Sequence, residues 1–223
     1  MKNLLFLSVI SLLTFSSCSK DDNPVASIPV PVYDTLTYQG QTYKTVKIGS
    51  QTWFSENLNA GKFIGGSTHP MDNDTIEKHC YSNSTNNCLL YGGFYTWNEA
   101  MAYSTTPGAQ GICPENWHIP TLAEYETLKS TVNNDGNALK SKSQGIGEGV
   151  GTNSSGFSAL LSGYRSQYGS FFSLGYFSLM WTSTIYPPDE TYNLHLFNSS
   201  NSIAFNYRYI EYSIPVRCLK NSD

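Results

Sequence analysis

The sequence predicts an α+β fold: an irregular antiparallel sheet carrying one or two helices and long loops. Three observations lead there. From Phe157 to Leu219 the chain reads as short strands separated by turn residues. Thr121, with Glu124 three residues on and Leu122, Tyr125 and Leu128 forming an apolar face, has the pattern of a capping box opening one helix. The composition, with 16 Tyr, 18 Gly and only 13% charged residues, is that of an extracellular, strand- and loop-rich domain.

The elements follow in order. Tyr38-Gln39-Gly40-Gln41-Thr42-Tyr43 reads as strand, tight turn and strand. The second strand runs on to Ile48, and Gly49-Ser50-Gln51 turns into Thr52-Trp53-Phe54, a hairpin or meander with aromatic cross-strand pairs available. Residues 59–90 are rich in Asn, Asp, Gly and Ser and are expected to form a long loop. Tyr95–Ala102 predicts a short helix. A clearer one runs from Thr121 to near Val132, and a further short piece covers Ala138–Ser141. Residues 144–155 are Gly-rich. Strands are expected at Phe157–Gly163, Phe171–Gly175, Leu179–Ser183, Tyr192–Phe197, Ile203–Tyr209 and Ser213–Leu219.

The first residues supply an address. Lys2, the apolar run Leu4–Phe15 and the small residues Ser16-Ser17 make a secretory signal, too short for the ~20 apolar residues of a membrane span. Phe15-Ser16-Ser17-Cys18 resembles a bacterial lipobox, with Phe where Leu is usual, so Cys18 is expected to be lipidated and to begin the mature chain. Ser19-Lys20-Asp21-Asp22 resembles the export signal that carries Bacteroidetes lipoproteins to the outside of the outer membrane. The expected organisation is a signal peptide over 1–17, a lipidated Pro-rich tether over 18–32 and one domain over 33–223. Ile28-Pro29-Val30-Pro31-Val32 would stay extended in that tether. Losing Lys2 leaves 12 basic against 17 acidic residues, a net charge of about −5, which argues against a nucleic-acid partner. Membrane attachment is then through the lipid alone.

With Cys18 assigned, Cys80, Cys88, Cys113 and Cys218 form an even set in an oxidising compartment, where two disulfides are the default. Of three possible pairings the favoured one joins Cys80 to Cys88, a short surface clip, and Cys113 to Cys218. The long loop would be worth about 4–5 kcal/mol by chain entropy. No CxxC pair points to zinc.

Further blocks resemble a known family. Tyr43-Lys44-Thr45-Val46-Lys47-Ile48-Gly49, Gln51-Thr52-Trp53, Glu56-Asn57-Leu58 and Tyr91-Gly92-Gly93-Phe94-Tyr95-Thr96-Trp97 come first. Gly111-Ile112-Cys113-Pro114, Trp117-His118-Ile119-Pro120-Thr121, Trp181-Thr182-Ser183-Thr184 and Val216-Arg217-Cys218 follow in the same order. Over roughly residues 38–220 they resemble the Fibrobacter succinogenes major paralogous domain of bacterial surface lipoproteins. The resemblance implies a C-type-lectin-like fold. Trp117–Tyr125 is similar to the "LPTEAEWE" segment of formylglycine-generating-enzyme-like proteins, which share it. It implies a helix after a Pro-Thr turn, a C-terminal strand beside the N-terminal one, and a disulfide between the region preceding that helix and the last strand, again Cys113–Cys218.

Catalysis is not expected. Formylglycine-generating enzymes use reactive cysteines, whereas the four here are accounted for structurally. His69, His79, His118 and His195 have no metal-ligand spacing, and His118 is read as a packed or loop-capping residue. No two carboxylates are paired by motif. Lectin-like folds present ligands on long loops, so Tyr186-Pro187-Pro188-Asp189-Glu190-Thr191-Tyr192-Asn193 is the candidate binding segment. Tyr186, Asp189, Glu190, Tyr192 and Asn193 are its candidate contacts, with a glycan or a surface protein as ligand. No cofactor is expected. Calcium would have Asp72-Asn73-Asp74 and Glu77 as oxygen donors, but the calcium-lectin triplets Glu-Pro-Asn and Trp-Asn-Asp are absent. Asp34-Thr35-Leu36 and Asp74-Thr75-Ile76 resemble the Bacteroidetes O-glycosylation motif, making Thr35 and Thr75 candidate acceptors.

Overall fold

The computed structural model describes residues 31–222, so Cys18 and most of the tether lie outside the described residues. The chain opens on a hairpin of β1 (Tyr33–Tyr38) and β2 (Gln41–Ile48), paired from Tyr33↔Val46 to Tyr38↔Gln41. Gln39 and Gly40 are both left-handed (φ 50° and 73°), as the tight turn of a twisted hairpin requires. β3 (Gln51–Phe54) continues the meander.

Residues 59–90 are not the uninterrupted loop expected from composition. They contain a two-residue parallel pair, β4 (Lys62–Phe63) with β5 (Glu77–Lys78), and a short helix, α1 (Thr85–Tyr91). Neither has a hydrophobic period of its own; both are held by tertiary contacts. The Cys80–Cys88 bridge, expected as a surface clip, is buried at the start of this helical segment.

After α2 (Trp97–Ala100) and β6 (Trp117–His118), α3 (Leu122–Thr131) begins at Thr121 with the full capping box. The Thr121 hydroxyl accepts from Glu124 N, and the Glu124 carboxylate accepts from Thr121 N. Tyr125 and Leu128 are buried. α4 (Gly136–Leu139) and the small hairpin β7 (Tyr164–Arg165) with β8 (Phe171–Phe172) follow. β9 (Phe177–Tyr186), β10 (Glu190–Phe197) and β11 (Ile203–Tyr209) form an antiparallel sheet.

Two expected strands are absent. Phe157, Ala159 and Leu161 alternate inward, but Ser158 is left-handed (φ 57°) and only an isolated parallel bridge forms, from Lys140 to Ala159. Residues 213–218 make single bridges before the chain pairs as β12 (Leu219–Lys220). β12 lies between β3 and β6 and completes a five-stranded sheet in the order β1-β2-β3-β12-β6.

Adjacent residues on a strand face opposite ways, and in β3 and β9 both faces are buried. Phe54, Leu179 and Trp181 pack into one cluster with Tyr95, Trp97 and Trp117; Trp53 and Met180 pack into a second with Tyr125 and Phe157. Where the backbone is irregular, buried cations gather its carbonyls. Lys140 Nζ donates to Gly149, Phe197 and Ser200, and Arg165 donates to Gly66. Cys113–Cys218 ties the segment before β6 to the start of β12. The architecture is α+β, dominated by antiparallel pairing.

Candidate binding site

The long hairpin β9–β10 carries the candidate segment. Its turn, Pro187–Asp189, includes a cis peptide between the two prolines. Ladder pairing resumes at Tyr186↔Glu190, and the register shifts between Thr191 and Asn193. On the other edge of β10, Glu190 faces Tyr209 and Tyr192 faces Tyr207. The Asp189 carbonyl accepts from Ile210 N (3.3 Å), which fixes the end of β11 to the turn.

A second turn approaches from β7. Arg165 and Ser213 exchange two backbone hydrogen bonds, both 2.9 Å, so the residues after β7 sit beside those after β11. Ser166 N donates to Ser170 O and Gly169 N to Ser166 O, closing a tight turn that projects Tyr168 outward. Gln167, Tyr168, Asp189, Tyr209 and Glu211 line an open cleft of about 640 Å³ between the two turns. Tyr168 is 85% and Tyr209 51% exposed. Next to the cleft, Tyr186 and Tyr207 stack with centroids 4.4 Å apart and planes within 6°, and Tyr192 meets Tyr186 edge-on at 5.4 Å.

This arrangement offers two phenol faces, an amide and two carboxylates to one ligand. Aromatic faces take the C–H surface of a polar ring, and the oxygens accept from its hydroxyls. Of the five expected contacts, Asp189 lines the cleft, Glu190 is half-buried beside it, and Tyr186 and Tyr192 belong to the adjoining aromatic patch. Asn193 does not reach the surface. It is fully buried after the register shift, and its Nδ2 donates to Asn206 O at 3.1 Å. Gln167, Tyr168, Tyr209 and Glu211 were not singled out by sequence. The one local signal is an aromatic beside a turn glycine, Tyr168-Gly169.

The other candidate positions lie elsewhere. Asn73 Oδ1 accepts from Thr75 N (3.0 Å), and the buried Glu77 accepts from Met71 N (3.0 Å). Among the described residues, no group of three His, Cys, Asp or Glu side chains is placed to hold a metal. Thr35 on β1 and Thr75 are exposed. His118 bridges Glu124 Oε1 (3.0 Å) and Asn221 Oδ1 (2.6 Å), tying the α3 cap to the chain's end. Burial works against its charged form, but the hydrogen bonds to Glu124 and Asn221 outweigh it and raise its pKa. All four described cysteines are in disulfides, and no helix among the described residues is long and apolar enough to cross a membrane.

The Fibrobacter succinogenes major domain family matches residues 46–220. The chain belongs to this family. No curated protein matches it, and no solved structure does. In this Fibrobacter succinogenes major domain the matched span includes both disulfides and every residue of the cleft, and leaves β1 outside.

Proposed function

We propose that this Fibrobacter succinogenes major domain is a non-catalytic, glycan-binding domain of C-type-lectin-like fold, displayed on the cell surface by a lipid on Cys18. The observation that carries the binding reading is the cleft between Tyr168 and Tyr209, with Gln167, Asp189 and Glu211 around it. Exposed tyrosines beside hydrogen-bonding side chains suit a polar ring with one apolar face. The fold reading is supported by the capped helix after Pro120-Thr121, by β12 beside the N-terminal meander, and by Cys113–Cys218. The outer-membrane address rests on the leader and on the lipobox resemblance.

A glycan array probed with the oxidised protein, in calcium and in chelator, tests the reading. The expected result is binding insensitive to chelator and weakened at least ~10-fold, about 1.4 kcal/mol, by Tyr209→Ala and by Asp189→Ala. A clean negative on folded protein favours the second reading, a structural or protein-interaction subunit of a surface assembly. The stacked Tyr186–Tyr207 patch beside the edge strand β11 supports that reading. An enzyme of the formylglycine-generating kind comes third, since that chemistry needs free thiols. The lipid anchor is tested separately: Cys18→Ala should release the protein from the outer-membrane fraction, and retention there would refute lipidation.

A further inference from the structure

The three-stranded sheet β11-β10-β9 ends differently on its two sides. On the β9 side the rest of the chain covers the edge: Trp181 N donates to Pro215 O (3.2 Å), Ser183 N to Pro120 O (2.8 Å), and Phe177 O accepts from Gly163 N (2.9 Å). On the β11 side, among the described residues, no backbone group outside β10 pairs with Ile203–Tyr209. Ile210 N donates to Asp189 O, which makes these two a hydrogen-bonded pair, and such pairs alternate along an antiparallel ladder. Arg208, Asn206 and Ala204 therefore bond to β10, and on that side Asn206 O also accepts from Asn193 Nδ2 (3.1 Å). The N–H and C=O groups of Ile203, Phe205, Tyr207 and Tyr209 point outward.

Exposed edges are ordinarily protected by a charge, a proline or a bulge. β11 contains no proline or glycine, and its register with β10 is unbroken over 7 residues. Its one charged side chain, Arg208, lies over the rings of Tyr164 (5.5 Å) and Tyr212 (5.8 Å), which draws the charge onto one face of the sheet. Tyr207 and Tyr209 are about half exposed. Such an edge takes up another strand by main-chain pairing. The sequence of β11 says which strand. Turned about Asn206, it is complementary to itself. Outward Phe205 meets outward Tyr207, Ile203 meets Tyr209, and Arg208 meets Ala204 rather than a second cation. Residues opposite one another share a face, so the aromatic and apolar pairs all fall on one side.

We propose that β11 is a dimerisation strand. Two copies of the chain pair antiparallel through Ile203–Tyr209 about a two-fold axis at Asn206, joining their β11-β10-β9 sheets into one. Such a dimer gives the surface-assembly reading its partner, rests on that reading, and is independent of the glycan one. It carries its two Tyr168–Tyr209 clefts toward opposite ends of the shared ladder, about 20 Å apart by the rise of an antiparallel strand.

The test is the mass of the full chain, purified with its disulfides intact, across a concentration series by light scattering, together with cross-linking in the cells that produce it. A two-chain mass is expected. Tyr207→Pro removes an N–H that points away from β10, and Tyr207→Lys puts a charge on the edge. Each should raise the dimer dissociation constant at least ~10-fold, about 1.4 kcal/mol. Asn206→Cys places two thiols on facing residues with Cα atoms about 4.5 Å apart, within disulfide reach, and should give a two-chain band that wild type lacks. Ala204→Cys faces Arg208 instead and should not. A one-chain mass at every concentration, a dimer untouched by both Tyr207 variants, or equal cross-linking of the two cysteine variants would overturn the proposal. So would an Asn206→Cys cross-link to a different protein alone, which makes β11 the dock for a foreign strand. A monomer that still binds the glycan array removes the dimer and spares the glycan reading; a dimer with a blank array does the reverse.

Discussion

Arg217 is fully buried and spreads its guanidinium over four oxygens, with the Phe157 ring 4.6 Å from its centre. It connects the irregular segment around Phe157 to the end of β3, which a point-like ammonium does not do. Arg217→Lys should therefore cost about 2–4 kcal/mol, through carbonyls left without donors, measurable as a lowered urea midpoint. Two buried histidines set the response to acid. Burial, joined by the charge of Arg165 for His79 and of Arg208 for His195, pulls both imidazoles down to about 4. An unfolded chain titrates them near 6.5, so between about 6.5 and about 4 the unfolded state binds the additional protons and stability falls with pH. His118 acts in the opposite sense: its raised pKa gives stability that is present below the unfolded value and lost as pH rises through the folded one. The His118 contribution is retained below 6.5, so the two lowered groups set the direction and the melting temperature should drop as pH goes from 6.5 to 4. His195→Phe, filling the slot between Phe177 and Phe197, should flatten that drop. An unchanged slope would remove His195 from the account.

At the scale of elements, α3 depends on a cap written entirely in local sequence. Thr121→Ala should cost ~1 kcal/mol, read as a shift in the denaturant midpoint; no shift would mean that the Glu124–His118 contact alone holds the helix start. That cap, the Gln39-Gly40 turn and the β10 and β11 strands were legible because each is fixed by a short-range pattern. β4, β5 and α1 were not, since elements of two to seven residues are decided by distant partners: Lys62 N donates to Ile76 O, and Cys80 holds Cys88. The Phe157–Leu161 alternation reported burial correctly and pairing wrongly, because Arg217 takes the Phe157 and Ser158 carbonyls that a ladder would use. The candidate cleft was legible only at Asp189, for a similar reason. Asp189 sits in the hairpin picked out by sequence, whereas Gln167 and Tyr168 reach it only through the Arg165–Ser213 pairing. Asn193 was misread because neighbours on a strand face opposite ways: with Tyr192 on the outer face, Asn193 points inward together with Thr191.

For the whole molecule the two bridges should differ in weight. Cys113–Cys218 spans 105 residues and Cys80–Cys88 spans 8. Chain entropy values them at about 4–5 and about 2–3 kcal/mol. Paired Ser substitutions should reproduce that order in unfolding experiments, and equal losses would point to a native-state contribution instead. The longer bridge also shapes how the domain carries force. Residues 113–218 become a covalent ring, and all five residues of the Tyr168–Tyr209 cleft lie on it. A pull entering at residue 31 and resisted by a ligand in that cleft runs in series as far as Cys113, where it divides between two arms. The short arm crosses the sulfur bridge and runs from Cys218 back to Glu211, so the grip stays within a few residues' reach of Cys113 however far the N-terminal meander is drawn out. In a reducing medium the ring opens and that leash is lost.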